Sequence, residues 1–127
     1  MQPQGDELLN RFRHVMVRLV REKGPDPTAR QMAVFLTAYL DKGPHSVAHM
    51  ARRLNIRKSA VSRAVDRLME LKLAQRTVDP RDRRKIHIQQ TSQGGEFLGT
   101  LGQWIGHAET QANDNTTRHT SATSMHR

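Results

Sequence analysis

Apolar residues recur at Leu8, Leu9, Phe12, Val15, Met16, Leu19 and Val20. The spacing follows the helical turn, so residues 5–24 are predicted to form a helix with a broad apolar stripe, stopped by Gly24 and Pro25. Thr28 and Gln31 make a T-x-x-Q capping box ahead of a second helix. That helix places Ala29, Met32, Ala33, Leu36, Tyr39 and Leu40 on one face and ends at Gly43 and Pro44. Ser46 is the expected N-cap of a short helix, VAHMARRL, with Val47, Met50, Ala51 and Leu54 facing inward. The turn NIRK follows, in which Asn55 can take the left-handed backbone. The next segment, SAVSRAVDRLMEL, is predicted to bury Val61, Ala64, Val65, Leu68 and Leu71. Ala51 is small where two such helices must nearly touch, and Val61 is placed to plug one into the other. Two short helices around a tight turn spell a helix-turn-helix.

The pattern then changes period. LAQRTV and IHIQQ are short and carry β-branched residues, as hairpin strands do. Between them lies the loop DPRDRRK, residues 79–85. A helix-turn-helix followed by a β-hairpin is a winged helix-turn-helix. After Thr91 a last helix carries Phe97, Leu98, Leu101, Trp104, Ile105 and Ala108 on one face, and Gly95, Gly99, Gly102 and Gly106 on its flank. Each of these glycines costs roughly 1 kcal/mol of helix propensity, which suggests close approach by another helix. The end of the chain is rich in Ser, Thr and Asn and is expected to be disordered. The reading is therefore mainly α with a small β-hairpin. It divides into an N-terminal dimerisation helix (1–27), a winged helix-turn-helix lobe (28–91), a C-terminal dimerisation helix (92–111) and a polar tail (112–127).

Composition narrows the chemistry. The 127 residues fit one ordinary domain, with no cysteine for a disulfide, a thiolate metal site or a redox switch. The start of the chain is polar and no apolar run approaches the ~18 residues needed to span a bilayer, so a cytoplasmic protein is expected. No glycine-rich phosphate loop, spaced carboxylate pair in an apolar setting or nucleophile elbow occurs, so neither an enzyme nor a cofactor is expected. His45 and His49 have metal-ligand spacing, but no cysteine or nearby carboxylate completes a set, so no metal site is assigned.

Charge carries the functional signal. The net charge is +9, and residues 52–85 alone hold twelve basic and four acidic residues, a surplus of eight. A localised basic patch is the footprint of a polyanion partner. With Val61, Val65 and Leu68 inward, Ser59, Ser62, Arg63 and Asp66 face outward. The serines let a helix sit deep in a major groove, and Arg63 can reach guanine or phosphate. Arg57, Lys58 and Arg67 are assigned to DNA beside them, and Arg52 and Arg53 to its backbone. In the loop, Arg81, Arg83, Arg84 and Lys85 supply cations for a narrow, electronegative minor groove. Arg83 is the candidate for insertion, with Asp82 as its orienter, and Pro80 stiffens the turn.

The stretch from Ser46 to Gly94 resembles the MarR family of winged-helix transcription regulators. The wing with Asp79, Arg81, Asp82 and Arg83 resembles the family's D-x-R-D-x-R pattern, whose second arginine is Arg83 or Arg84 here. SAVSRAVDRL resembles its recognition helix, and Thr91 with Gly94 its strand-to-helix corner. The likeness spans about residues 28–100. It implies a homodimer with interleaved terminal helices, pseudo-palindromic operator DNA, and an anionic or phenolic effector bound between the dimer and DNA-binding lobes. The chain departs from the family at Lys72, usually Gly, at Gln90, usually apolar, and in its short C-terminal part. The expected function is a DNA-binding transcription regulator, a repressor acting as a homodimer on double-stranded DNA. The alternative is a winged-helix protein-interaction or low-specificity nucleic-acid-binding module without operator specificity.

Overall fold

The computed structural model describes the backbone of residues 3–125 and the side chains of residues 5–108. The tail at 112–127, expected to be disordered, lies outside the residues described with side chains. The order is α1 (Pro3–Arg21), α2 (Ala29–Leu40), β1 (His45–Ser46), α3 (Val47–Leu54), α4 (Lys58–Glu70), β2 (Ala74–Val78), β3 (Ile86–Gln90) and α5 (Ser92–Met125). The chain forms two compact units, one of residues 1–24 and 100–127, the other of residues 25–99. The fold is mainly helical with one small antiparallel sheet.

The first unit brings α1 against the later part of α5. Leu19, Leu101, Trp104 and Ala108 are buried, and the Arg18 guanidinium lies 5.1 Å from the centre of the Trp104 ring. Most of the α1 stripe is not covered: Leu8, Leu9, Phe12, Met16 and Val20 are exposed, as is Val17 outside it. The close approach expected along the glycine stripe does not occur among the described residues. A Cβ built at Gly95, Gly99, Gly102 or Gly106 meets nothing within 4 Å.

In the second unit, α2 starts where the capping box puts it. The Thr28 hydroxyl accepts from the Gln31 amide, and the Gln31 side chain accepts from the Thr28 amide. Its buried face is not the one the sequence suggested. Val34, Phe35 and Ala38 are buried, whereas Ala29, Ala33 and Leu40 are exposed. The helix is apolar nearly all round, so periodicity alone left its orientation loose. Phe35 is turned inward by its edge-on contact with Phe97 at 5.4 Å, and lies tilted against Tyr39 of its own helix at 4.4 Å. The α3 cap is Ser46, whose hydroxyl accepts from the His49 amide. Asn55 sits in the left-handed region with φ 55° and ψ 47°.

Sheet order is β1-β3-β2, all antiparallel, with β3 in the centre. The two-residue strand β1 has no sequence signal of its own, since its length is too short for alternation to register. His45 opens β1 as a buried side chain, its Nε2 3.0 Å from the Asp41 carbonyl oxygen, while His49 is exposed. The expected hairpin strands pair from Ala74↔Gln90 to Val78↔Ile86.

The corner between β3 and α5 is tightly bonded. The Tyr39 hydroxyl donates to the Leu73 carbonyl at 2.6 Å and accepts from the Thr91 amide at 2.9 Å. The Thr91 hydroxyl donates to the Lys72 carbonyl and accepts from the Gly94 amide. Both departures from the family pattern find their place here. Lys72 holds a left-handed conformation with φ 63°, the backbone state that glycine adopts without strain. Gln90 turns its amide to the Ala38 carbonyl at 3.3 Å.

Candidate nucleic-acid interface

The outward face of α4 follows from its inward one. Val61, Ala64, Val65 and Leu68 are buried, which leaves Ser59, Arg63, Asp66 and Arg67 exposed and Ser62 half-buried. The N-cap of the helix is Arg57, in extended conformation, with no side-chain cap bond and no acid in the first turn. Its first amides and the positive end of its dipole therefore remain open for an anion. Lys58 and Ser59 stand beside them, exposed.

The cations divide into two groups. Among the described residues, no ion pair holds Arg52, Arg57, Lys58, Arg63, Arg81, Arg83 or Lys85, and all seven are exposed. Arg53 lies 3.6 Å from the Asp41 carboxylate, and Arg67 lies 2.9 Å from Glu70. Both pairs are on the surface, where such pairs contribute little and exchange readily for a phosphate. Arg76, in β2, points to α4: its Nη2 donates to the Ser62 carbonyl at 2.8 Å and its Nη1 to the Asp66 carboxylate. Asp66 faces outward as expected but is engaged by this arginine. Sequence reasoning missed Arg76. The signal was its register, because Ala74, Arg76 and Val78 share one strand face and Ala74 is buried. A charged residue on that face needs an internal partner.

Each aspartate of the wing organises the loop. Asp79 Oδ1 accepts from the Arg81 amide at 2.7 Å, and Oδ2 lies 2.9 Å from His87 Nε2. These hydrogen bonds, that of His87 above all and then that of the Arg81 amide, hold the Asp79 carboxyl below its ordinary pKa. The backbone closes the loop through Asp79 N to Lys85 O at 3.0 Å and Lys85 N to Asp82 O at 2.9 Å. Asp82 Oδ1 accepts from both the amide and the Nε of Arg84, at 3.1 and 3.2 Å. The arginine that Asp82 holds is therefore Arg84, not Arg83. The cause is local: the carboxylate already binds the amide two residues on, and the side chain of that same residue folds back onto it. Arg84 is held at its root yet stays 92% exposed, so its tip is free to reach outward. His87 was not anticipated either, since a lone histidine in a strand carries no signal without the position of Asp79.

A helix-turn-helix whose second helix has an open N-terminus, followed by a cationic hairpin, makes up a winged helix-turn-helix. Residues 26–85 match the family model described as "MarR family". The repressor NicR of Pseudomonas putida is 30% identical over 89 residues, covering 70% of this chain and 56% of that protein. The chain thus matches about half the length of this curated relative. Transcriptional regulator Tm0710 of Thermotoga maritima superposes with a TM-score of 0.71 at 23% identity, over 98% of this chain and 88% of that one. MepR of S. aureus, in a crystal structure of its DNA complex, gives a TM-score of 0.65 at 21% identity, over 93% of both chains. The chain belongs to the MarR family. No helix among the described residues is long and apolar enough to cross a membrane.

Proposed function

We propose that the chain is a DNA-binding transcription regulator, a repressor that acts as a homodimer on pseudo-palindromic operator DNA. The observation that carries this reading is the division of the cations. Seven exposed Lys and Arg side chains without ion pairs lie on α3, on α4 and its entry turn, and on the wing. The open end of α4 would enter the major groove with Ser59, Ser62 and Arg63 toward base edges. Arg57, Lys58, Arg52 and, after exchange, Arg53 and Arg67 would lie along phosphates. Arg84, rooted on Asp82, would enter the minor groove, flanked by Arg81, Arg83 and Lys85. The NicR name and the MepR–DNA structure support both the repressor role and the DNA partner.

The homodimer rests on α1, where Phe12 is 64% and Val20 73% exposed. A helix that shows so much apolar surface, with an open glycine stripe on α5, fits a second copy of the chain. A small anionic or phenolic effector is the releasing partner that the family resemblance implies.

Sedimentation with a labelled duplex tests the reading as a whole. The free chain at micromolar concentration should sediment at twice its mass and join the duplex as two chains. The complex should dissociate steeply between about 50 and 200 mM salt, as counterion release requires. One chain per duplex, or a complex indifferent to salt, contradicts it.

A further inference from the structure

Arg76 lies inside the basic window yet is turned onto α4, and its geometry is that of a brace. β2 leaves α4 through only three residues, 71–73, and the amide of Leu73 is bonded back to the Leu68 carbonyl at 2.8 Å. The near end of the wing is thereby fixed. The strand runs on to Val78, five residues beyond Leu73, roughly 17 Å. A swing of about 10° at the near end would move its far end by about 3 Å, half the ~6 Å width of a minor groove. Something must stop that swing if tip and helix are to reach two grooves together.

Arg76 stands partway along this lever. Its register partner is the buried Ile88, so it faces the core side of the sheet. From there its fork spans a full turn of α4. Nη2 takes the Ser62 carbonyl, and Nη1 takes the Asp66 carboxylate and touches Met69 Sδ at 3.6 Å. The Arg76 side chain is 28% exposed. A planar guanidinium can serve a carbonyl and a carboxylate at once in fixed directions; a lysine ammonium has no such fork. The bonds are charge-assisted, and the Ser62 carbonyl they hold belongs to a residue assigned to base contact.

We infer that Arg76 is a positioning residue that locks the wing to the recognition helix, so that Arg84 and Arg63 approach DNA as one rigid body. The inference rests on the DNA-binding reading for its purpose, but not for its first test. The chain has no cysteine, so spin labels can be placed at Glu70→Cys and Arg83→Cys, with labelled chain diluted in unlabelled chain. The free protein should give one narrow distance. Arg76→Met and Arg76→Lys should each broaden it at least about twofold, and Asp66→Asn should broaden it in part. Asp66→Asn and Arg76→Lys decide the question if Arg76→Met does not fold. An unchanged width in Arg76→Lys overturns the brace.

The second arm measures DNA affinity for Arg63→Ala, Arg84→Ala and the pair. Two contacts on one rigid body should be coupled about fivefold or more, and in the Arg76→Lys background the coupling should fall to within about twofold of additive. Melting temperature, measured alongside, reports a merely structural role and does not bear on coupling. Coupling that survives Arg76→Lys overturns the positioning role even if the distance broadens. A wild-type chain that binds no DNA sinks the proposed function instead, and the distance measurement still decides whether the brace exists.

Discussion

Gly94→Ala should be among the costliest single changes in the chain. A Cβ at this position falls on the Tyr39 hydroxyl and against the Leu73 carbonyl, backbone that cannot move without shifting the start of β2. The hydroxyl would be displaced from two short bonds, to the Leu73 carbonyl and from the Thr91 amide. Each backbone group left without a partner costs about 1–3 kcal/mol. Overpacking adds about 1–3 kcal/mol. The better helix propensity of alanine returns about 1 kcal/mol. A loss of about 3 kcal/mol or more follows, near 10 °C in melting temperature for a chain of this size. Urea unfolding followed by circular dichroism, at one fixed chain concentration, measures it. Tyr39→Phe keeps the ring against Phe35 but removes the oxygen that the new methyl meets. In that background Gly94→Ala should cost at least about 1 kcal/mol less, a coupling typical of touching groups. A Gly94→Ala chain within about 0.5 kcal/mol of wild type would refute the account of this corner.

Two further outcomes follow from the wing. Asp79 has its folded pKa lowered, so its contribution is complete above the ordinary carboxyl value and is lost as pH falls through the lowered one. The stability gap between wild type and Asp79→Asn should therefore stay constant from pH 7 to about 4 and close below that; a gap that stays open on acidification below that range would refute it. Asp82→Asn should weaken operator binding although it makes the loop more positive, and adding it to Arg84→Ala should cost nothing more. Tighter binding by Asp82→Asn at two salt concentrations would reduce the wing to a cloud of charge.

How much the sequence disclosed depended on how local each cause was. The capping box at Thr28 and Gln31, the cap at Ser46 and the left-handed turn at Asn55 are each set within four residues, and all three stand as expected. The inward face of α4 was legible because Val61, Ala64, Val65 and Leu68 are separated by polar residues. The face of α2 was not, because apolar residues ring it and a contact with Phe97, sixty-two residues away, decides its rotation. The same limit applies to the interface. The density of charge showed where a polyanion would bind, but not which cations were engaged. Arg76 and Arg84 look alike as letters. One is turned inward by the face of its strand, and the other is anchored at its root by a turn that Asp82 makes with its own neighbour.

The central claim is that this surface reads operator DNA as a pair. Selection of bound duplexes from a random library by the full chain tests it most directly. The account predicts an enriched inverted repeat, with half-sites about one helical turn apart and about 10³-fold or greater preference over bulk DNA. Removing one half-site should abolish most of that preference. Enrichment of no motif, or of a single half-site bound as tightly as the repeat, would contradict the claim and leave a winged helix that holds DNA or a protein partner without reading an operator.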